Sequence, residues 1–294
     1  MNHVIFVIMD SCRYDSYLAA AKPNLDAFCE CNGIKAERRY SYASWTSPSH
    51  QTFLMGMMPH TSPPGVFASE VYKGDFIKWV DRTGIAGMSF KSFLPQLSLP
   101  KVLKDLGYRT VARVSLPVLN QTTTFSAHFD DYRLMADHND FAGMVREASF
   151  EGAQPVFNFW NLGETHYPYM LKDADLPHIS GVHGVFKHMD DLVVHQGDPG
   201  AFEPGAFFGK ADMERLRLQQ VRAVEYLDSQ FSLLFAKAPV GTHVIVTADH
   251  GELFGEGGYF GHGPVMHEKC FEVPFLEGKV SAQLKDLINA RNGR

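Results

Sequence analysis

The chain predicts an α/β fold built on a mostly parallel sheet, and three observations carry that reading. The apolar runs Val4–Met9, Val156–Asn161 and His243–Thr247 have strand length without polar alternation. Both faces of each are therefore expected to be covered, as in parallel sheets. Polar residues follow each run: Asp10 after the first, Glu164 and His166 after the second, Asp249 and His250 after the third. Helical patterns alternate with the runs along the whole chain, and parallel strands require such crossovers. A sheet of this kind places its ligands beyond the carboxyl ends of its strands. The residues there are candidate site residues.

Taken in order, the first strand runs into Asp10. That residue either caps a helix beginning around Ser11 or projects a carboxylate from the sheet edge. Ser44–His50 then precedes a helix expected through Gln51–Leu54. A hydroxyl at a helix amino terminus sits where N–H groups and the dipole favour an anion. The same pattern also reads as a Ser/Thr cap with Pro48 in the first turn. Residues 62–95 carry Pro63, Pro64, Gly65 and scattered aromatics, an excursion expected to wrap near the site. The strand Val156–Asn161 leads to Glu164–Tyr169, where His166 taken singly reads as a loop histidine. Residues 170–212, rich in Gly, Pro and His, have the composition of a long loop or lid. Asp191 and His195 share the i, i+4 spacing of a helical metal pair there, but no strand presents them. Glu214–Phe235 reads as one long amphipathic helix with its charges on a solvated face. Thr247–Glu252 closes the series, with Asp249 and His250 offering a hard oxygen and an imidazole side by side.

Length and composition fit a single domain over residues 1–294: 45% of the residues are hydrophobic and 13% aromatic, ample for a core. A net charge of −6, with no basic run interrupted by aromatics, argues against a nucleic-acid partner. The cysteines Cys12, Cys29, Cys31 and Cys270 lack disulfide or zinc-finger spacing, so reduced thiols are expected. The chain enters its first strand after three residues, too early for a signal peptide. No apolar run approaches the ~20 residues of a membrane span. A cytoplasmic location without a membrane partner is the expectation, and homo-oligomerisation stays open.

Several segments occur in a telling order. Asp10, Arg13 and Asp15 form a strand-ending Asp-x-x-Arg-x-Asp. Thr46-Ser47-Pro48-Ser49-His50 runs on to Gly56 and Pro59. A helix from Leu99 gives way to Gly107-Tyr108-Arg109-Thr110. His166, Pro168 and Tyr169 make a compact turn, Tyr226 and Asp228 fall in the long helix, and Thr247–Glu252 is followed by Gly261-His262-Gly263 and Val273-Pro274-Phe275. Over roughly residues 3–276 the chain resembles the alkaline phosphatase superfamily, in particular its sulfatase-like branch. The resemblance implies a three-layer α/β/α fold that lacks most of the small carboxyl-terminal sulfatase subdomain. It implies a divalent metal held by Asp10, Thr46, Asp249 and His250. Two carboxylates with an imidazole suit Zn or Mn more than Mg or Ca. A second ion on Glu164, His166 and His262 is a further expectation.

Three departures sharpen the expected chemistry. Sulfatases oxidise a Cys or Ser to formylglycine, and Thr46 cannot become that aldehyde. His50 stands where an Arg usually closes the segment, and Ser11 where some sulfatases have a second Asp. Thr46 is similar instead to the threonine of phosphodiesterase, phosphonate-hydrolase and phosphoethanolamine-transferase relatives. The expected function is a metal-dependent hydrolase of small-molecule phosphate or phosphonate esters acting through a phosphothreonine intermediate. His166 and His262 would bind the phosphoryl oxygens or protonate the leaving group. Sulfuric ester hydrolysis and phosphoryl transfer or mutase chemistry are the alternatives. A catalytically silent metal-binding protein is disfavoured by the intact Asp10, Thr46, Asp249 and His250.

Overall fold

The computed structural model describes residues 1–62, 74–88, 98–170, 186–187, 209–263 and 265–293. Most of the excursion at 62–95 and nearly all of 170–212, including Asp191 and His195, lie outside these residues. Ten strands follow in chain order: β1 Val4–Met9, β2 Glu37–Tyr40, β3 Arg109–Val114, β4 Asp131–Leu134, β5 Val156–Leu162, β6 Phe186–Lys187, β7 His243–Thr247, β8 Leu253–Phe254, β9 Tyr259–Gly261 and β10 Glu272–Lys279. Seven form one sheet in the order β2-β10-β7-β1-β5-β3-β4. The five strands from β7 to β4 are parallel, β10 runs antiparallel beside β7, and β2 pairs antiparallel with β10 at that edge. A mostly parallel sheet with helices on both faces is the α/β/α arrangement the sequence predicted.

The sheet is central because β1 is apolar on both faces. Ile5, Val7 and Met9 enter one buried cluster with Phe28, Leu227, Phe231, Leu284 and Ile288. Those partners belong to the helices Pro23–Asn32, Lys210–Lys237 and Ala282–Asn292. Val4, Phe6 and Ile8 enter the other cluster with Phe53, Trp79, Leu99 and Leu103, from the helices Thr46–Leu54, Trp79–Thr83 and Leu99–Asp105. The period of two along a strand divides the residues between the faces. Burial of this extent supplies the main driving force for folding.

Three sequence readings change. Asp10 caps no helix: the next one is Tyr14–Ala19, with Arg13 at its N-cap and no side-chain cap. The helix expected from Gln51 begins at Thr46, and its N-cap Trp45 gives no side-chain cap either. The charges of the long helix are not all solvated. Asp228 is 2% exposed and accepts the N–H groups of Asn24 and Leu25 at 3.1 and 2.8 Å, serving the amino terminus of a neighbouring helix that has no side-chain cap of its own. No helix among the described residues is long and apolar enough to cross a membrane.

Candidate active site

The carboxyl ends of β7, β1 and β5 lie side by side, and strand parity aims their terminal residues. Asp10 continues the Val4-Phe6-Ile8 face of β1. Asn161 continues the Phe157-Phe159 face of β5, and Asp249 extends the Ile245-Thr247 alternation of β7. All three therefore belong to the face on which the helix Thr46–Leu54 packs. Asp10, Asp249 and His250 are fully buried, and one ligand atom from each lies within 4.8 Å of the others. This is the one such group of acidic, His or Cys side chains among the described residues.

Each member is held by its own hydrogen bonds. Asp10 Oδ2 accepts from Asn161 Nδ2 at 2.7 Å and Oδ1 from Ser11 Oγ at 3.2 Å. Asp249 Oδ1 accepts from the Ser11 and His250 N–H groups at 3.1 and 3.0 Å. Ser11 reaches this position with φ at 60°, a left-handed conformation costing a non-glycine residue roughly 1 kcal/mol. His250 Nδ1 donates to the Gly251 carbonyl at 2.8 Å. Its Nε2 lone pair then faces Thr46 Oγ1 at 3.3 Å, with Asp249 and Asp10 oxygens at 3.4 and 3.8 Å. Thr46 is the first residue of its helix and 5% exposed.

The electrostatics suit a divalent cation. Burial, and then the charge of Asp10, push the Asp249 carboxyl well above its usual range. Burial opposes ionisation of Asp10 too, but His166, His250, His50 and Asn161 outweigh it and bring Asp10 down. Burial and then the neighbouring His262 hold His250 far below the usual imidazole value, and so neutral. Asp249 Oδ2 is buried with no hydrogen-bond partner. Two carboxylates, a neutral imidazole and a hydroxyl converging on that orphaned oxygen match the donor set of a divalent cation.

A histidine pair flanks the cluster. The His262 ring lies 4.3 Å from that of His250 and 5.1 Å from that of His166. His262 Nδ1 donates to Glu252 Oε1 at 2.8 Å, and Tyr169 Oη donates to Glu252 Oε2 at 2.6 Å. Burial works against protonation of His262, but Glu252 prevails and its value rises. His166 Nδ1 donates to the Tyr167 carbonyl at 2.8 Å, and burial lowers its value. The expected trio of Glu164, His166 and His262 is not brought together as a ligand group. Glu164 Oε1 instead accepts the Phe141 N–H at 2.8 Å, at the start of the helix Phe141–Glu147. Burial pushes the Glu164 carboxyl up to about 7, and the carboxylate beside His262 is Glu252.

Sequence reasoning missed four contributors. Asn161 was read as part of a strand, although a polar residue in such an apolar run was the signal. His50 was noted only as a departure, yet it is 1% exposed and touches Asn161. Glu252 ends the Thr247–Glu252 segment with no pattern that gives it a role. Gln220, fully buried within the long helix, donates to the carbonyls of Ser11 and Thr165 at 2.9 and 3.1 Å. It thereby ties the turns that follow β1 and β5, and no local pattern announces it.

Residues 2–277 match the sulfatase family. The chain belongs to it. Membership places the protein among enzymes acting on sulfate or phosphate esters. No curated protein matches significantly. Among solved structures, the carboxyl-terminal periplasmic domain of EptC from Escherichia coli in complex with Zn is 15% identical, with a TM-score of 0.59 over 98% of this chain and 75% of that one. A protein solved with its substrate D-glucosamine-2-N,6-O-disulfate is 12% identical, with a TM-score of 0.57 over 94% of this chain and 70% of that one. The integral membrane lipooligosaccharide phosphoethanolamine transferase A of Neisseria meningitidis is 12% identical, with a TM-score of 0.52, and the match covers 97% of this chain but 48% of that one. At these identities the likeness is one of fold.

Proposed function

We propose that the protein hydrolyses phosphate or phosphonate esters of small molecules through Thr46. The observation that carries this is Thr46 Oγ1 at 3.3 Å from His250 Nε2, beside Asp10 and Asp249, with no Cys or Ser in its place. Asp10, Asp249, His250 and Thr46 would hold Zn or Mn. When bound, such an ion lowers the pKa of a coordinated hydroxyl and offsets charge developing on phosphorus-bound oxygens.

The chain's own groups supply the rest. Thr46 Oγ1, its proton given up to solvent, attacks phosphorus, forming the Oγ1–P bond as the bond to the leaving oxygen breaks. The amino terminus of the helix Thr46–Leu54 favours the anionic group at this position. His262, whose protonated form Glu252 favours, gives a proton to the leaving oxygen, and His166 lines the opposite side of the pair. Water then attacks phosphorus, Thr46 Oγ1 departs, and the proton returns through the same imidazole. Oxygen–phosphorus cleavage hydrolyses the threonine phosphoester without an aldehyde, and this separates the reading from sulfate elimination at formylglycine.

Matched aryl phosphate, phosphonate and sulfate esters test it. A preference for phosphorus of at least about a hundredfold in kcat/KM is expected, roughly 2.7 kcal/mol of transition-state stabilisation. Phosphate on a Thr46 peptide, found by mass spectrometry after acid quench, would accompany it. Sulfate turnover equal to or faster than phosphate turnover overturns the assignment.

A further inference from the structure

A buried chain of hydrogen bonds links Asp10 to the turn that carries Thr46, and its protons can be assigned. Asn161 Oδ1 accepts the Ser115 and Leu116 N–H groups at 3.2 and 3.3 Å. Two backbone donors on one oxygen fix the amide orientation, because the NH₂ end cannot accept. Asn161 Nδ2 therefore faces its other two neighbours, Asp10 Oδ2 at 2.7 Å and His50 Nε2 at 3.3 Å. Both are acceptors, one for each amide hydrogen. His50 Nε2 must then carry a lone pair, and the hydrogen of the neutral ring sits on Nδ1. That nitrogen lies 2.9 Å from the Thr46 carbonyl oxygen, which can only accept. The two ends of the chain demand the same tautomer.

The surroundings enforce the arrangement. Asn161 is fully buried and His50 is 1% exposed, so water does not compete for their bonds. Phe53 and Phe159 pack edge-on against the His50 ring at 5.7 and 5.8 Å between centroids, fixing its plane. Burial also holds His50 down to about 4. We propose that Asn161 and His50 are positioning residues: through them β5 fixes the Asp10 carboxylate and the Thr46 turn relative to each other. Asn161 occupies one oxygen of Asp10 and leaves Oδ1 directed toward the cluster, while His50 anchors the peptide from which the Thr46 hydroxyl projects. Groups that orient ligands in this way change metal affinity or activity by about 10–100-fold when removed.

The proposal draws on the metal reading for one of its two measurements only. The first is the His50 tautomer, read from ring ¹⁵N shifts of histidine-labelled, metal-free protein. Hydrogen on Nδ1 is expected, and in Asn161→Leu it stays there, held by the Thr46 carbonyl, while the Nε2 shift moves because its hydrogen bond from the amide is lost. Hydrogen on Nε2 in the unaltered protein overturns the relay whether or not any metal binds. The second is Zn²⁺ titration of apoprotein by calorimetry, with kinetics. Asn161→Leu and the shape-preserving His50→Phe should each raise Kd at least about tenfold and lower kcat, with KM within about threefold. His50→Gln, whose amide can accept from Asn161 and donate to the Thr46 carbonyl, should recover most of the loss. A purely structural role would lower Tm in both variants and leave Kd unchanged, which also overturns the proposal. If Asn161→Leu does not fold, His50→Phe and His50→Gln decide the same question. Failure of the unaltered protein to bind any divalent ion would instead strike the proposed function, and the tautomer would still judge the relay.

Discussion

Thr46 carries a β-methyl that closes the route to an aldehyde, while its hydroxyl is the nucleophile of the proposed reaction. Replacing Thr46 by Ala should lower kcat by at least about a thousandfold, as removal of nucleophiles does elsewhere, with thermal unfolding little changed. Thr46→Ser should retain measurable turnover, since the hydroxyl remains, and Ser47→Ala should stay active. Steady-state kinetics on an aryl phosphate separate these outcomes. A dead Ser47→Ala beside an active Thr46→Ala would move the nucleophile by one residue. The sequence marked Thr46, Asp10, Asp249 and His250, because each follows or opens a regular element. Asn161, His50 and Glu252 matter through what they touch at separations of 111, 151 and 10 residues, and residue type alone does not reveal such contacts.

The element that presents Asp249 and His250 is the turn after β7, and its geometry depends on Gly251. The Gly251 N–H donates to the Cys270 carbonyl at 2.9 Å, and a Cβ there would lie 2.0 Å from the Lys269 carbonyl oxygen. Backbone cannot yield as a flexible side chain can, so Gly251→Ala must displace the turn or the segment before β10. It should destabilise the fold by about 2 kcal/mol and weaken Zn²⁺ binding by more than tenfold. Denaturant unfolding and calorimetry check both parts; affinity unchanged in a destabilised variant would show that the turn does not set the site. Element type was readable here because apolar runs and periodicity are local. The start of the helix at Thr46 was not: Trp45 gives it no side-chain cap, and the helix is held by contacts with distant segments, Phe53 on Phe6 and His50 on Asn161 among them.

Among the described residues the strands of the central sheet converge on the buried cluster of Asp10, Asp249 and His250, so bound metal should report on global stability. A ligand at a hundred times its Kd adds about 2.7 kcal/mol. At roughly 2.1 cal/mol/K of unfolding entropy per residue, a chain this long should gain about 4 °C in Tm when Zn²⁺ is restored to chelator-treated protein. Asp249→Ala should abolish the gain, and an equal gain in that variant would locate the metal elsewhere. The sequence by itself determined the α/β class and the strand ends that carry Asp10, Asp249 and His250, because hydrophobic period and residue type are written locally. Tertiary structure alone decided that β7, β1 and β5 are neighbours, that Glu252 rather than Glu164 serves His262, and that Asn161 and His50 join Asp10 to Thr46. Strand order and side-chain partners arise from packing between distant segments, and no local pattern encodes which of several buried polar groups will meet.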